Sequence, residues 1–141
     1  MMTIERFEDL EIWKEARELC KVVIRLTEEE PFCRDFKLRD QIKTSSGSVM
    51  DNIAEGFERG GNKEFIHFLG ISKGSCGECR SQAYRSFDCQ YINQETLEDL
   101  ISRTLQLSKK ISSFITYLKR SDFKGPKYHI SEPDIQSFDE P

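Results

Sequence analysis

The sequence predicts an all-α fold, an antiparallel up-down-up-down four-helix bundle, and three observations carry that expectation. Four stretches of about 20 residues place apolar side chains at helical spacing. The breaks between them are short and marked by glycine, proline or asparagine, which favours antiparallel neighbours. At 141 residues, 37% hydrophobic and 33% charged with only four prolines and eight glycines, the chain has the size of one domain and the composition of a charge-rich helical protein.

The first helix is expected from about Asp9 to Glu29. Leu10, Trp13, Ala16, Cys20 and Ile24 form one line and Ile12, Leu19, Val23 and Leu26 a second beside it, so its apolar face spans about half the circumference. Pro31 ends it, because proline disfavours helical geometry in the residue before it. The second helix, about Lys37 to Phe57, carries the stripe Leu38, Ile42, Ser45, Val49, Ile53, Gly56 and stops at Arg59-Gly60-Gly61. Asn62 then reads as the N-cap of a third helix running to about Phe87, with Glu64 near the positive end of its dipole. Its inward stripe, Phe65, Phe68, Leu69, Ser72, Cys76, Cys79, Ala83, Phe87, has aromatic residues at the ends and small ones in the middle, which permits close helix approach. Asn93 reads as the cap of a fourth helix with the most regular stripe, Leu97, Leu100, Ile101, Thr104, Leu107, Ile111, Phe114, Ile115, Leu118. Residues 1–120 therefore form the bundle domain. Residues 121–141, with three prolines, a glycine and no period, are expected to be a flexible acidic tail.

The net charge of −4 is uneven. The tail holds five acidic residues against two basic ones, which leaves 20 acidic against 19 basic for the bundle. No apolar run approaches the roughly 20 residues of a membrane span, and the first residues lack the layout of a secretion signal, so a cytoplasmic protein with no membrane partner is expected. Five cysteines, Cys20, Cys33, Cys76, Cys79 and Cys89, then read as reduced thiols rather than a disulfide framework.

Two features point beyond a lone bundle. The wide apolar face of the first helix asks for cover besides its three partners. On the third helix Gly70, Gly74 and Gly77 lie opposite the core stripe, flanked by Ile66, Ile71 and Tyr84, and each glycine inside a helix costs about 1 kcal/mol relative to alanine. Either another backbone packs closely there, which makes Ile66, Gly70, Ile71, Gly74 and Gly77 a candidate subunit interface, or the glycines sit on a solvated or kinked face.

Four ordered motifs carry a resemblance: Phe7-Glu8-Asp9-Leu10 with Ile12-Trp13, Asn52-Ile53-Ala54-Glu55-Gly56 with Arg59, Glu64-Phe65 with Phe68-Leu69, and Gly74-Ser75 with Glu78. Over about residues 4–120 the chain resembles the 23S ribosomal RNA intervening-sequence protein family of bacteria. The resemblance implies a left-handed up-down bundle, a ring-like homopentamer, genes inside insertions in large ribosomal RNA genes as well as elsewhere, and no enzymatic activity. A related branch, the accessory variability determinant of diversity-generating retroelements, binds nucleic acid and a reverse transcriptase through a strongly basic surface. The present chain, at a net charge of −4, departs from that branch.

Asn52, Glu55, Gly56, Arg59 and Glu78 read as a structural motif. Glu55 lies one turn from Arg59 and from Asn52, Gly56 admits a neighbouring helix, and Glu78 either joins the set or faces another subunit. Arg59 also has a functional reading, an RNA contact at the loop to the third helix. Between Arg103 and Arg120 there are five basic residues and no acidic one, which either complement the helix dipole or form, with Arg59 and Lys63, a patch repeated around a ring. Arg59, Lys63, Lys109, Lys110, Lys119 and Arg120 are the candidate nucleic-acid contacts. No catalytic, cofactor or metal residue is assigned. Glu64-Phe65-Ile66-His67 is half of a two-metal bundle motif, and Cys76-Gly77-Glu78-Cys79 lacks a second pair and lies mid-helix. The expected function is a non-catalytic oligomeric adaptor whose partner is RNA, DNA or a nucleic-acid-processing protein. The alternative is a structural or selfish-element product with no specific ligand.

Overall fold

Helices begin where a polar group can take up amides that precede the first intrahelical bond, and the four helices of this chain solve that in different ways. The computed structural model describes residues 3–121 and 131–133. A 3₁₀ turn at Phe7–Asp9 leads into α1 (Glu11–Thr27), followed by a second 3₁₀ turn at Phe32–Arg34, α2 (Phe36–Arg59), α3 (Asn62–Asp88) and α4 (Gln94–Arg120). Asn93 caps α4, its Oδ1 accepting from Thr96 N at 2.8 Å. Asp35 caps α2 in the same way, accepting from Leu38 N at 3.1 Å while its other oxygen takes the Tyr91 hydroxyl at 2.9 Å. Both bonds favour the charged form and hold the Asp35 carboxyl below its ordinary range, the backbone amide contributing most.

Asn62 is not the cap expected for α3. It is the first helical residue, Gly61 precedes it, and its amide instead donates to Leu118 O at 2.8 Å and Ser121 O at 3.2 Å. Its side chain thus ties the start of α3 to carbonyls at the end of α4. Gly60 and Gly61 make the preceding turn at φ of 74° and 84°, a region that penalises any side chain.

Cross-helix pairs confirm the up-down-up-down path. Glu15 on α1 meets Lys110 on α4, Ser45 on α2 meets Gln82 on α3, and nearer the end of α2 Val49 meets Ser72. The core runs the length of the bundle through Ile12, Leu19, Val23, Ile42, Ile53, Leu69, Leu100 and Ile111, all essentially inaccessible. Aromatic rings fill the end near the α2–α3 turn, with Phe57 against Phe65 at 5.9 Å and Phe65 against Phe114 at 5.3 Å. Small residues fill the middle: Ala16, Cys20, Ser45, Ser72, Cys76, Cys79 and Ala83 are all buried there.

That middle is also polar, which the stripe pattern alone does not disclose. Ser45 Oγ donates to Gln82 Oε1 at 2.6 Å, Ser86 Oγ to Gln82 O at 2.8 Å, and Ser72 Oγ to Val49 O at 2.7 Å. Buried hydroxyls and an amide are tolerated because each finds a partner. The Ser45 and Ser72 bonds tie α2 to α3, the most extensive pairing in the bundle, whereas among neighbouring helices α1 and α4 pair least.

The wide face of α1 is covered partly by the chain's own start. Phe7 packs edge-on against Trp13 at 5.1 Å, Ile4 is buried, and Arg17 stands over the Trp13 ring, while Ile24 remains exposed. Within the expected flexible tail, Ser131 pairs with Thr3 in an antiparallel bridge, Glu132 accepts from the first amides of α1, and Pro133 is buried. The remainder of that tail lies outside the described residues.

Candidate subunit interface and basic end

Three glycines within two turns of α3 leave a strip with no side chain over about 10 Å of helix. A Cβ built at Gly70, Gly74 or Gly77 meets nothing within 4 Å, so no helix of this chain approaches them. Gly56 is the opposite case, since a Cβ there falls 2.7 Å from Phe68 Cβ and 3.1 Å from Phe65 Cδ1. The bundle therefore uses one glycine to bring two helices together and leaves three facing outward. Beside them Ile71 is 41% and Tyr84 48% exposed, both large apolar side chains turned to the outside. Ile66, the remaining member of the candidate interface, is half-buried and packs against the core. Leu105 on α4, 50% exposed, belongs to the same description. The register set by Phe65 against Phe114 brings it level with the glycine stretch. Sequence periodicity passed over Leu105 because it lies off the inward stripe.

The six candidate basic contacts divide into two groups. The bonds from Asn62 to the end of α4 place the start of α3, with Lys63, beside Lys119 and Arg120, and Arg59 ends the helix just before. Lys109 and Lys110 lie about 15 Å back along α4. Lys110 is only a third exposed and pairs with Glu15 at 2.7 Å. Arg59 pairs with Glu55 at 2.9 Å and lies over the Phe68 ring at 5.2 Å, and its bond to Glu55 raises its pKa further. Acidic Glu55, Glu58 and Glu64 share this end, so its positive charge is local.

Asn52 serves a different purpose from the Glu55–Arg59 pair one turn on. Its amide donates to Ser48 O at 2.8 Å and Ser48 Oγ at 2.9 Å, and that hydroxyl bonds Ser75 Oγ on α3 at 2.8 Å. Asn52, Ser48 and Ser75 thus form a further polar link between α2 and α3. Glu78 stands exposed on α3, and among the described residues no ion pair joins it to Arg59.

Cys76 and Cys79 are fully buried, and burial pushes both thiols up to about 12. At neutral pH burial keeps them protonated, which suits packing. In the folded protein iodoacetamide is expected to label exposed Cys89 and to reach Cys76 and Cys79 only after denaturation, as read by peptide mass. Labelling of Cys76 at the rate of Cys89 would mean that the buried pair is open to thiol chemistry. His67 is exposed with its ring against Phe68, and among the described residues no group of three His, Cys, Asp or Glu side chains is placed to hold a metal. A cleft of about 320 Å³ between α1 and α4 is lined by Glu11, Lys14, Glu15, Glu18, Arg103 and Gln106, a mixed-charge surface. Among the described residues no helix is long and apolar enough to cross a membrane.

Fold and surface together define an all-α four-helix bundle with a tight α2–α3 pair and an outward glycine strip. The model of the 23S rRNA-intervening sequence protein family matches residues 8–113, and the chain belongs to that family. A crystal structure of a protein of unknown function from the S23 ribosomal protein family of Bacteroides thetaiotaomicron has the same fold. It superposes with a TM-score of 0.67 at 21% identity, over 74% of this chain and 97% of that one. No curated protein matches the chain.

Proposed function

We propose that the protein is a non-catalytic, self-assembling adaptor. The glycine face of α3 is its subunit contact, and the end bearing Arg59, Lys63, Lys119 and Arg120 is its nucleic-acid contact. The observation that carries the reading is the open strip at Gly70, Gly74 and Gly77, flanked by exposed Ile71 and Tyr84. Helical glycines without a neighbour weaken a monomer, and a second backbone laid on the strip offsets that cost. The resemblance to the intervening-sequence family favours a homopentamer. A ring would repeat the basic end in every subunit, and that repetition turns a weak local contact into a multivalent one. The alternative, a structural product with no ligand, draws on the acidic Glu55, Glu58 and Glu64 that share this end.

Light scattering during size-exclusion chromatography tests the assembly, with a mass near five times 16.5 kDa as the expected result. Structured RNA is expected to bind that assembly more weakly as salt rises, and the double variant Lys63→Glu, Lys119→Glu to lose about tenfold or more in affinity. A monomer at every concentration would sink the adaptor reading. An assembly indifferent to RNA at low salt would leave the structural alternative standing.

A further inference from the structure

The first amides of α1 have no acceptor in their own helix, and the residue before it, Leu10, has no side chain that can cap them. Glu132 supplies the missing cap from the far end of the chain. Its Oε1 accepts from Glu11 N at 2.7 Å and its Oε2 from Ile12 N at 3.3 Å. On one side of it Ser131 pairs with Thr3 through the backbone, and on the other Pro133 is buried. Backbone pairing, a carboxylate anchor and a seated proline are the elements by which a protein holds an extended segment.

We propose that Ser131-Glu132-Pro133 is a latch, an extended acidic segment docked in cis on the start of α1, with the Glu132 carboxylate as its releasable contact. The surroundings set it against itself. The helix amides attract the carboxylate, but Glu11 and Glu15 face it from α1, where Lys14 pairs with Glu11 at 3.5 Å and Lys110 of α4 with Glu15 at 2.7 Å. Thr3, its neighbour on the N-terminal segment, carries no charge. Burial and the two carboxylates outweigh the amide bonds, so docked Glu132 holds a proton more tightly than an ordinary glutamate. The docked form therefore gains as pH falls toward the carboxylate range, and rising pH favours release. Because Glu11 and Glu15 also line the α1–α4 cleft, undocking changes the charge at its edge.

Amide hydrogen exchange on the full chain, read by NMR as protection factors, tests this directly. Since the Glu11 and Ile12 amides have Glu132 as their acceptor, Glu132→Ala is expected to lower their protection about tenfold. Amides within the core of α2 and α3 should be unaffected. In the unaltered protein protection at these two amides should fall as pH rises above the ordinary carboxylate range, and in Glu132→Gln, which has no proton to lose, the same profile should be flat. Equal protection of the two amides with and without the Glu132 side chain overturns the latch, and so does a pH profile shared by the Gln variant and the unaltered chain.

Discussion

Replacing Gly56 with alanine is expected to destabilise the bundle by about 2 kcal/mol, a fall of roughly 6–8 °C in melting temperature for a chain of this length. One methyl group has this effect because of where it lands, 2.7 Å from Phe68 Cβ and 3.1 Å from Phe65 Cδ1. Phe68 Cβ is fixed to the backbone and cannot rotate away, so α3 must move off α2. That movement stretches bonds that depend on close approach: Ser72 to Val49 O at 2.7 Å, Ser45 to Gln82 at 2.6 Å and Ser48 to Ser75 at 2.8 Å. Alanine favours the helix over glycine by about 1 kcal/mol, which opposes the clash without cancelling it. Gly47 is the control, since it sits in the same helix with nothing within 4 Å of a Cβ. Gly47→Ala is expected to be neutral or slightly stabilising in the same thermal melt. Equal melting temperatures for the two variants would mean that α2 and α3 do not meet at Gly56.

How much of this was legible in the sequence depends on the range of the interaction. The four helices and their inward stripes are local patterns, and Val49, Leu69, Leu107 and Ile111 lie in the core where periodicity puts them. Asn93 as a cap is also local, a side chain bonding an amide three residues on. Asn62 has the same sequence signature but other partners, carbonyls at the end of α4, which come within reach only in the folded bundle. Gln82 stands out in no sequence pattern because its acceptor role depends on Ser45, on another helix. Glu132 was hidden more deeply, because its partners lie some 120 residues away and its neighbours in sequence carry no period. Among the candidate contacts, the expected run of basic residues from Arg103 to Arg120 divides because Glu15 reaches across from α1 to Lys110. A charge count along one helix does not contain that fact.

Gly74→Leu is expected to reduce the proposed assembly to monomers while leaving each bundle folded, and it separates the two readings of the glycine face by sign. With open space around Gly74, leucine disturbs nothing inside the subunit and strengthens α3 by about 1 kcal/mol through helix propensity alone. On a solvated face the variant would therefore melt higher at unchanged mass. Against a second backbone the same side chain has no room, and forcing it into a packed contact costs about 1–3 kcal/mol at each interface. In a closed ring that cost recurs at every contact, so the equilibrium shifts far toward free subunits. The paired measurement is light scattering for mass and circular dichroism for helix content and melting. A monomer that keeps its helix content supports the subunit contact. An intact assembly that melts higher places the interface elsewhere, and the exposed Leu105 on α4 then becomes the next position to enlarge or remove.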